Sequence, residues 1–274
     1  MALYALGDGP IAASDADPGR EYRCIECAKP VKVRKGKNRI PHFYHLRLSP
    51  SCRLYSKSED HLLLQLQIQD LLPPKEAAIE RVFPEIHRVS DVVWEQEKIA
   101  FEIQCSMIYP KEVKRRVDEY SSLGFRVVWI LDDRVFNKRV LRPSEELLRE
   151  QNGYYVSFRR EKRSFFYDQF EIFNEAKRLK KSRRFWVDLR RPRPFPPIDV
   201  PEEWPMQVVK RAEVNRPYFP GDLLDRAILS AISIPHALSL QNWAVLEEQF
   251  RERGGLIEGA AKPLMDRLNA LIAD

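Results

Sequence analysis

Two short apolar segments follow one another near residue 100, Ser90-Asp91-Val92-Val93 and Ala100-Phe101-Glu102-Ile103-Gln104, and each is broken by a single acid. A carboxylate inside a buried strand is costly unless it is paired, so both acids require partners. On antiparallel strands joined by the polar link Glu95-Gln96-Glu97-Lys98, Asp91 and Glu102 come side by side. Two close carboxylates either share a proton or hold a cation. Oxygen donors suit Mg²⁺ or Mn²⁺, which keep several waters and complete their shell with substrate phosphate. Glu102 and Gln104 lie two apart and share a sheet face, where Gln104 can orient an attacking water acidified by the metal. Glu80, on the preceding segment, offers a further carboxylate. The competing assignment makes Asp91 and Glu102 half-exposed strand residues paired with lysines, and the surrounding framework has to decide between the two.

That framework is regular. A capping box at Ser56 and Glu59 opens a helix over about Ser58 to Leu72, with Leu64, Ile68 and Leu71 on one face and Pro73-Pro74 as its stop. Three β-rich segments follow, Ala78 to Val82, Arg88 to Trp94 and Ile99 to Gln104. A helix over Pro110 to Leu123, ended by Gly124, leads to a buried strand over Phe125 to Leu131. Strand, crossover helix and strand imply a parallel pair, so the fold class is α/β with an αβββαβ core. Further on, Glu145 to Gln151 and Phe170 to Lys181 carry helical patterns, and Arg190 to Pro205 is a Pro-dense connector. Pro220 to Asp274 again shows helical periodicity. The expected divisions are 1–55, 56–150, 151–205 and 206–274.

Cys24-x-x-Cys27, a basic hairpin with Gly36 near its tip, and Pro41-His42-Phe43-Tyr44-His45 supply four ligands of the type zinc takes. If Pro41 opens a helical turn, His42 and His45 share a side, as in a treble-clef finger. So short a segment has little apolar core, and a metal would supply folding energy. Cys52 can replace either histidine or stand as a spare thiol, and Cys105 is most simply a small buried hydrophobe.

Asp91, Glu102-x-Gln104-x-Ser106, the helix bearing Tyr120 and the strand Val127-Val128-Trp129-Ile130-Leu131 resemble the nuclease domain of the competence protein CoiA-like family. The Cys pair followed by His-Phe-x-His is similar to that family as well. The resemblance, over about Tyr22 to Asp133, implies the restriction-endonuclease-like PD-(D/E)xK fold and Mg²⁺-dependent cleavage of phosphodiester bonds. It implies Asp91 and Glu102 as metal ligands, Gln104 as the water-orienting group and Glu80 as an accessory acid. The chain departs from the family at Gln65, where relatives tend to carry a lysine one turn after His61, which removes the reason to expect that helix in the site.

With 46 Lys and Arg against 40 Asp and Glu, the net charge of +6 is modest, and the partner has to be argued from where charge sits. Lys29, Lys32, Arg34, Lys35, Lys37 and Arg39 load the hairpin. Lys180, Lys181, Arg183 and Arg184 run into Phe185-Trp186, and charge beside aromatics suits single-stranded DNA, although a solvated helix face ending in a core aromatic fits as well. Neither a basic leader nor an apolar run long enough for a bilayer is visible, so a cytoplasmic protein with reduced cysteines is expected. The expected partner is DNA, single-stranded or branched included, without membrane, with a second copy or other DNA-processing proteins as candidates. A binding-only accessory factor and a defence or mobile-element nuclease are the rival functions.

Overall fold

A computed structural model describes residues 1–158, 164–174, 176–201, 204–214 and 217–232, together with Val245 and Glu248. Contacts divide the chain into two units: 1–106, 114–130 and 158–164 in the first, and 107–113, 131–157 and 165–274 in the second.

The first unit opens with β1 (Tyr4–Leu6), β2 (Pro10–Ala12), β3 (Tyr22–Arg23), β4 (Pro30–Gly36) and β5 (Arg39–His45), forming a sheet in the order β2-β1-β3-β4-β5. Pro41 lies within β5, a strand at the end of that order, where a missing N–H is tolerated. The expected helical turn at Pro41 is therefore a strand, and the treble-clef helix start is not formed there. Phe43, Val31, Val33 and Tyr22 pack beneath this sheet with Leu54.

Helix α1 (Glu59–Leu71) starts one residue later than anticipated, because its cap is Ser58, whose side chain accepts from the His61 amide. Ser56 instead donates its hydroxyl to the Arg53 carbonyl within the short 3₁₀ turn Arg53–Ser56. Leu62, Leu64 and Ile68 are fully buried. The strands β6 (Ala77–Ile79), β7 (Val82–Phe83), β8 (Arg88–Val89), β9 (Val92–Trp94) and β10 (Ile99–Gln104) follow, then α2 (Pro110–Ser122) and β11 (Arg126–Asp132). Here the sheet order is β11-β10-β9-β6, and β6, β9 and β10 pair antiparallel in sequence. Every residue of β10 is buried, which is why its apolar run is nearly continuous. Gly124, with φ +76°, ends α2 in the left-handed conformation that glycine adopts without strain.

The anticipated strand Arg88 to Trp94 is two strands, with Ser90 and Asp91 at the break. β8 pairs with β7 as a separate arm, while β9 joins the main sheet. The ladder between β9 and β10 runs through Val92↔Phe101, so Asp91 stands just beyond its last pair.

The second unit contains α3 (Pro143–Glu150), β12 (Gly153–Ser157), β13 (Phe165–Asp168), β14 (Glu171–Asn174), β15 (Lys177–Lys181), β16 (Phe185–Trp186), α4 (Met206–Glu213) and α5 (Leu223–Ile232). The helix anticipated over Phe170 to Lys181 is instead the antiparallel hairpin of β14 and β15. Residues 190–205 carry no helix or named strand among the described positions, in keeping with their proline density. Most of the predicted C-terminal helical region beyond α5 lies outside the described residues.

Beneath this unit three guanidinium groups meet three carboxylates. Asp168 accepts from Arg149 at 2.7 Å, from Arg211 and from the Leu223 amide at 3.0 Å, while Arg178 reaches Glu145 at 2.6 Å and Glu171 at 3.2 Å. Asp168 itself is fully buried. Burial would raise its carboxyl, yet Arg211 and Arg149 bring it down to about 2. This folded value lies below the ordinary one of about 3.9. Its stabilisation is therefore complete above about pH 4 and is lost as pH falls toward 2. Asp168→Ala leaves two arginines without their shared partner and should cost about 3–5 kcal/mol in urea unfolding. An unchanged unfolding midpoint would show that the network contributes nothing.

Candidate active site and metal centre

The sheet and α1 enclose a cleft of ≈ 250 Å³ lined by Lys57, His61, Arg88, Asp91, Glu102, Gln104 and Arg116, among others. Asp91, freed from the ladder at the strand break, is held from three sides. Its Oδ1 accepts from Lys57 Nζ at 2.7 Å and pairs with His61 Nε2 at 2.8 Å, and its Oδ2 accepts from the Ile103 amide at 2.8 Å. Glu102 projects from the buried strand β10, where Oε1 accepts from the Tyr120 hydroxyl at 2.7 Å and Oε2 from Arg116 at 2.6 Å. Gln104 donates to the Ser106 carbonyl at 2.6 Å.

The two carboxyls are driven in opposite directions. Burial would raise Asp91, but His61 and Lys57 overcome it and hold the group well below the usual carboxylate range. In Glu102, burial and the neighbouring Asp91 charge outweigh Arg116 and Tyr120, so its carboxyl is raised. Neighbouring acids with diverging proton affinities are a frequent mark of functional sites.

The structure places Glu80 differently from the accessory role expected of it. It follows β6 with φ 51°, and its Oε2 accepts the amides of Leu3 and Tyr4 at 2.9 and 3.0 Å. It is not among the cleft-lining residues: its side chain reaches the site through Lys57 at 3.2 Å, and its amide donates to the Asp91 carbonyl at 3.1 Å. Helix α1, by contrast, does enter the site: besides His61, fully buried Gln65 donates to the Asp91 carbonyl at 2.9 Å. Cys105 is partly exposed and lines the cleft rather than being a buried hydrophobe. Lys57, His61, Arg116 and Tyr120 were missed as site residues. Lys57 lies four residues before His61, as a site lysine and histidine on one approach would, but its neighbours Ser56, Ser58 and Glu59 drew attention to helix capping instead.

Away from this cleft, the ligand atoms of Cys24, Cys27, His45 and Cys52 lie within 4.8 Å of one another. Cys24 and Cys52 sulfurs are 3.7 Å apart, and Cys27 Sγ is 3.2 Å from His45 Nε2. Tetrahedral zinc with Zn–S bonds of 2.3 Å separates its sulfurs by roughly 3.8 Å, so this Cys₃His donor set could hold zinc with little movement. The hydrogen bond to Cys52 pulls the Cys24 thiol down to about 5, which favours the thiolate a metal takes. His42 is the correction to the expected ligand set: it is buried, and its Nδ1 contacts the Ile40 carbonyl at 2.8 Å. On a strand, residues three apart face opposite sides, so His42 and His45 cannot share a ligand face. Cys52 takes the vacated place.

The hairpin of β4 and β5 carries exposed Arg34, Lys35, Lys37 and Arg39 with half-buried Lys32, and Arg34 lies 4.5 Å over the Tyr44 ring. The second basic cluster is engaged within its own unit. Lys181 donates to the Asn137 carbonyl at 2.9 Å, Arg183 stacks over Phe185, and Arg184 pairs with Asp133 at 3.5 Å. Lys180 is half-buried on β15, and Trp186 beyond it is half-exposed.

Full chain prepared without chelator should carry about one Zn²⁺ per chain by elemental analysis, as a closed structural site does. Cys52→Ser should lower that content sharply and His42→Ala should leave it unchanged. The reverse pattern would restore histidine as the fourth ligand.

Comparison with known families gives two matches in series. Residues 57–179 match the family described as competence protein CoiA, nuclease-like domain, and residues 13–55 match competence protein CoiA, N-terminal domain. No curated protein and no solved structure matches the chain. The first match covers the acids and the α1 side chains of the cleft and the second covers all four residues of the Cys₃His cluster, so the chain belongs to the competence protein CoiA family.

Proposed function

We propose that this chain is a cytoplasmic Mg²⁺- or Mn²⁺-dependent nuclease of the PD-(D/E)xK type that hydrolyses phosphodiester bonds in DNA. The observation that carries this reading is the meeting of buried Asp91 and Glu102 in one cleft, with Gln104 two residues farther along the same strand. The donor set fits a hard divalent cation in kind: carboxylate oxygens in one cleft, one of them on a Glu102 carboxyl that burial and, after it, the Asp91 charge push upward. Asp91 and Glu102 would hold it, and when bound it supplies charge stabilisation to the phosphate and a more acidic water. Gln104, whose side-chain amide now donates to the Ser106 carbonyl at 2.6 Å, would be the polar group on this strand available to orient an attacking water. Lys57 keeps a positive charge at Asp91, where negative charge gathers on the attacked phosphate. The exposed hairpin cations Arg34, Lys35, Lys37 and Arg39 support DNA as the substrate through phosphate contacts that weaken with salt.

One observation favours a second reading, a binding-only accessory factor. Every oxygen of Asp91 and Glu102 already accepts a hydrogen bond from the protein, and the cations Lys57 and Arg116 offset both charges. Incubating metal-stripped protein with single-stranded, duplex and branched DNA, then restoring Mg²⁺ or Mn²⁺, separates the two. Cleavage that returns only with the metal supports the nuclease, while retained binding with no cleavage of any substrate supports the accessory factor.

In the active case Glu102→Ala should reduce cleavage by at least about 100-fold, the upper range for residues that merely support a metal ligand, with DNA affinity unchanged. Asp91→Ala should match it. Gln104→Ala should keep divalent-metal affinity and lower turnover alone. Cleavage at the unsubstituted rate by purified Glu102→Ala protein would end the assignment.

A further inference from the structure

One short segment joins the Cys₃His cluster to the cleft. Cys52, a cluster residue, immediately precedes the 3₁₀ turn Arg53–Ser56, and Lys57 follows that turn directly. Three contacts fasten the turn to the cluster. Glu26, between Cys24 and Cys27, accepts from Cys52 Sγ at 3.1 Å, from Arg53 Nε at 2.6 Å and from the Leu54 amide at 3.1 Å. Leu54 is buried among Cys24, Cys52 and Phe43. The Tyr55 ring packs edge-on against His45 at 5.6 Å. At the far end, the Lys57 side chain is only 8% exposed and bridges Asp91 at 2.7 Å and Glu80 at 3.2 Å. The same turn supplies Arg53, Leu54 and Ser56 to the cleft wall.

We infer that the Cys₃His cluster is the positioning device for Lys57, so that occupancy of the cluster by metal sets the state of the cleft. Four ligands drawn from the β3–β4 loop, β5 and the residue before the turn sit against a core of mostly small side chains, and a bound metal would add cohesion among them. Without it, the hold of Cys52 and Glu26 on the turn loosens, and the turn is left to the Met1 ammonium on the Leu54 and Lys57 carbonyls and to Arg53 on the His87 carbonyl. Lys57 keeps the attraction of its two acids, but its four-carbon stem then springs from a backbone that is less firmly placed, and its burial loosens. The cluster therefore acts on the cleft through the position of one ammonium group, over a covalent path of five residues. The consequence for catalysis rests on the nuclease reading, but the positional claim does not.

The reactivity of Lys57 tests it. Zinc-loaded full chain and chelator-stripped full chain receive a brief pulse of acetic anhydride, and acetylation at Lys57 is read by peptide mass spectrometry. Lys210, paired with Glu150 in the second unit, is the internal control. Amide exchange in α1 reports whether the core stays folded. Stripping should raise Lys57 acetylation at least several-fold with Lys210 and α1 unchanged, and added Zn²⁺ should reverse it. The second arm is Glu26→Ala, which keeps all four ligands and should retain zinc while Lys57 acetylation rises. Lys57 acetylation that stays at the loaded rate in stripped protein with α1 intact overturns the inference. If stripping also opens α1, Glu26→Ala decides alone: raised acetylation supports the inference and an unchanged rate overturns it. Since no cleavage is measured, failure of the nuclease reading leaves this outcome untouched.

Discussion

Asp91 is the point on which the first unit closes. Its carboxylate takes Lys57, His61 and the Ile103 amide, and its carbonyl takes Gln65 and the Glu80 amide. Through one residue the turn before α1, two successive turns of α1, the edge of β6 and the central strand β10 are tied together. A buried acid with so many donors is inexpensive to keep charged, because each donor replaces a water that burial removes. The same donors fix its oxygens in space. That is the preorganisation a metal or phosphate site requires, and it comes here from the assembly of the fold itself.

Much of this was legible in the sequence, and the limits are instructive. Asp91, just ahead of β9, and Glu102 in β10 stood out because each carboxylate interrupts an otherwise apolar run, and strand, helix and strand followed at the expected places. The helix α2 and its glycine stop were equally plain, since cap and periodicity agree. The pairing between Asp91 and the backbone of Ile103 was not, because it depends on a strand break at Ser90 that apolar Val89 and Val92 conceal. His42 and His45 share a ligand face only on a helical turn, and Pro41 invited that reading as a helix start. Its real setting is an edge strand, which tolerates the missing N–H, and only the sheet order reveals that. The hairpin of β14 and β15 was misread for a different reason. Glu171 and Arg178 are buried there as an ion pair, and hydrophobic periodicity scores charged residues as exposed whatever their surroundings.

The Cys₃His cluster and the carboxylate cleft are held in different ways. The Cys₃His cluster draws donors from strands and a turn that share a small apolar core, so soft ligands and geometry do most of the holding. The carboxylate cleft is built on a fully buried strand, a helix and the strand break at Asp91, where packing and polar contacts together keep the acids in place. Their meeting point, at residues 52–57, is also where the two family matches abut.

The buried arginines of the second unit bear on how such a chain can change over generations. Arg149, Arg178 and Arg211 share Glu145, Asp168 and Glu171 in a charge-balanced group sealed from water. Losing any one member strands a charge in a medium that cannot solvate it, whereas exchanging the whole group for apolar side chains of similar volume would cost little. Intermediate sequences are therefore less fit than either end. A lineage carrying this group is held in place by the order in which substitutions must arrive, so the second unit can diverge freely at its surface while its charged interior passes on as a block.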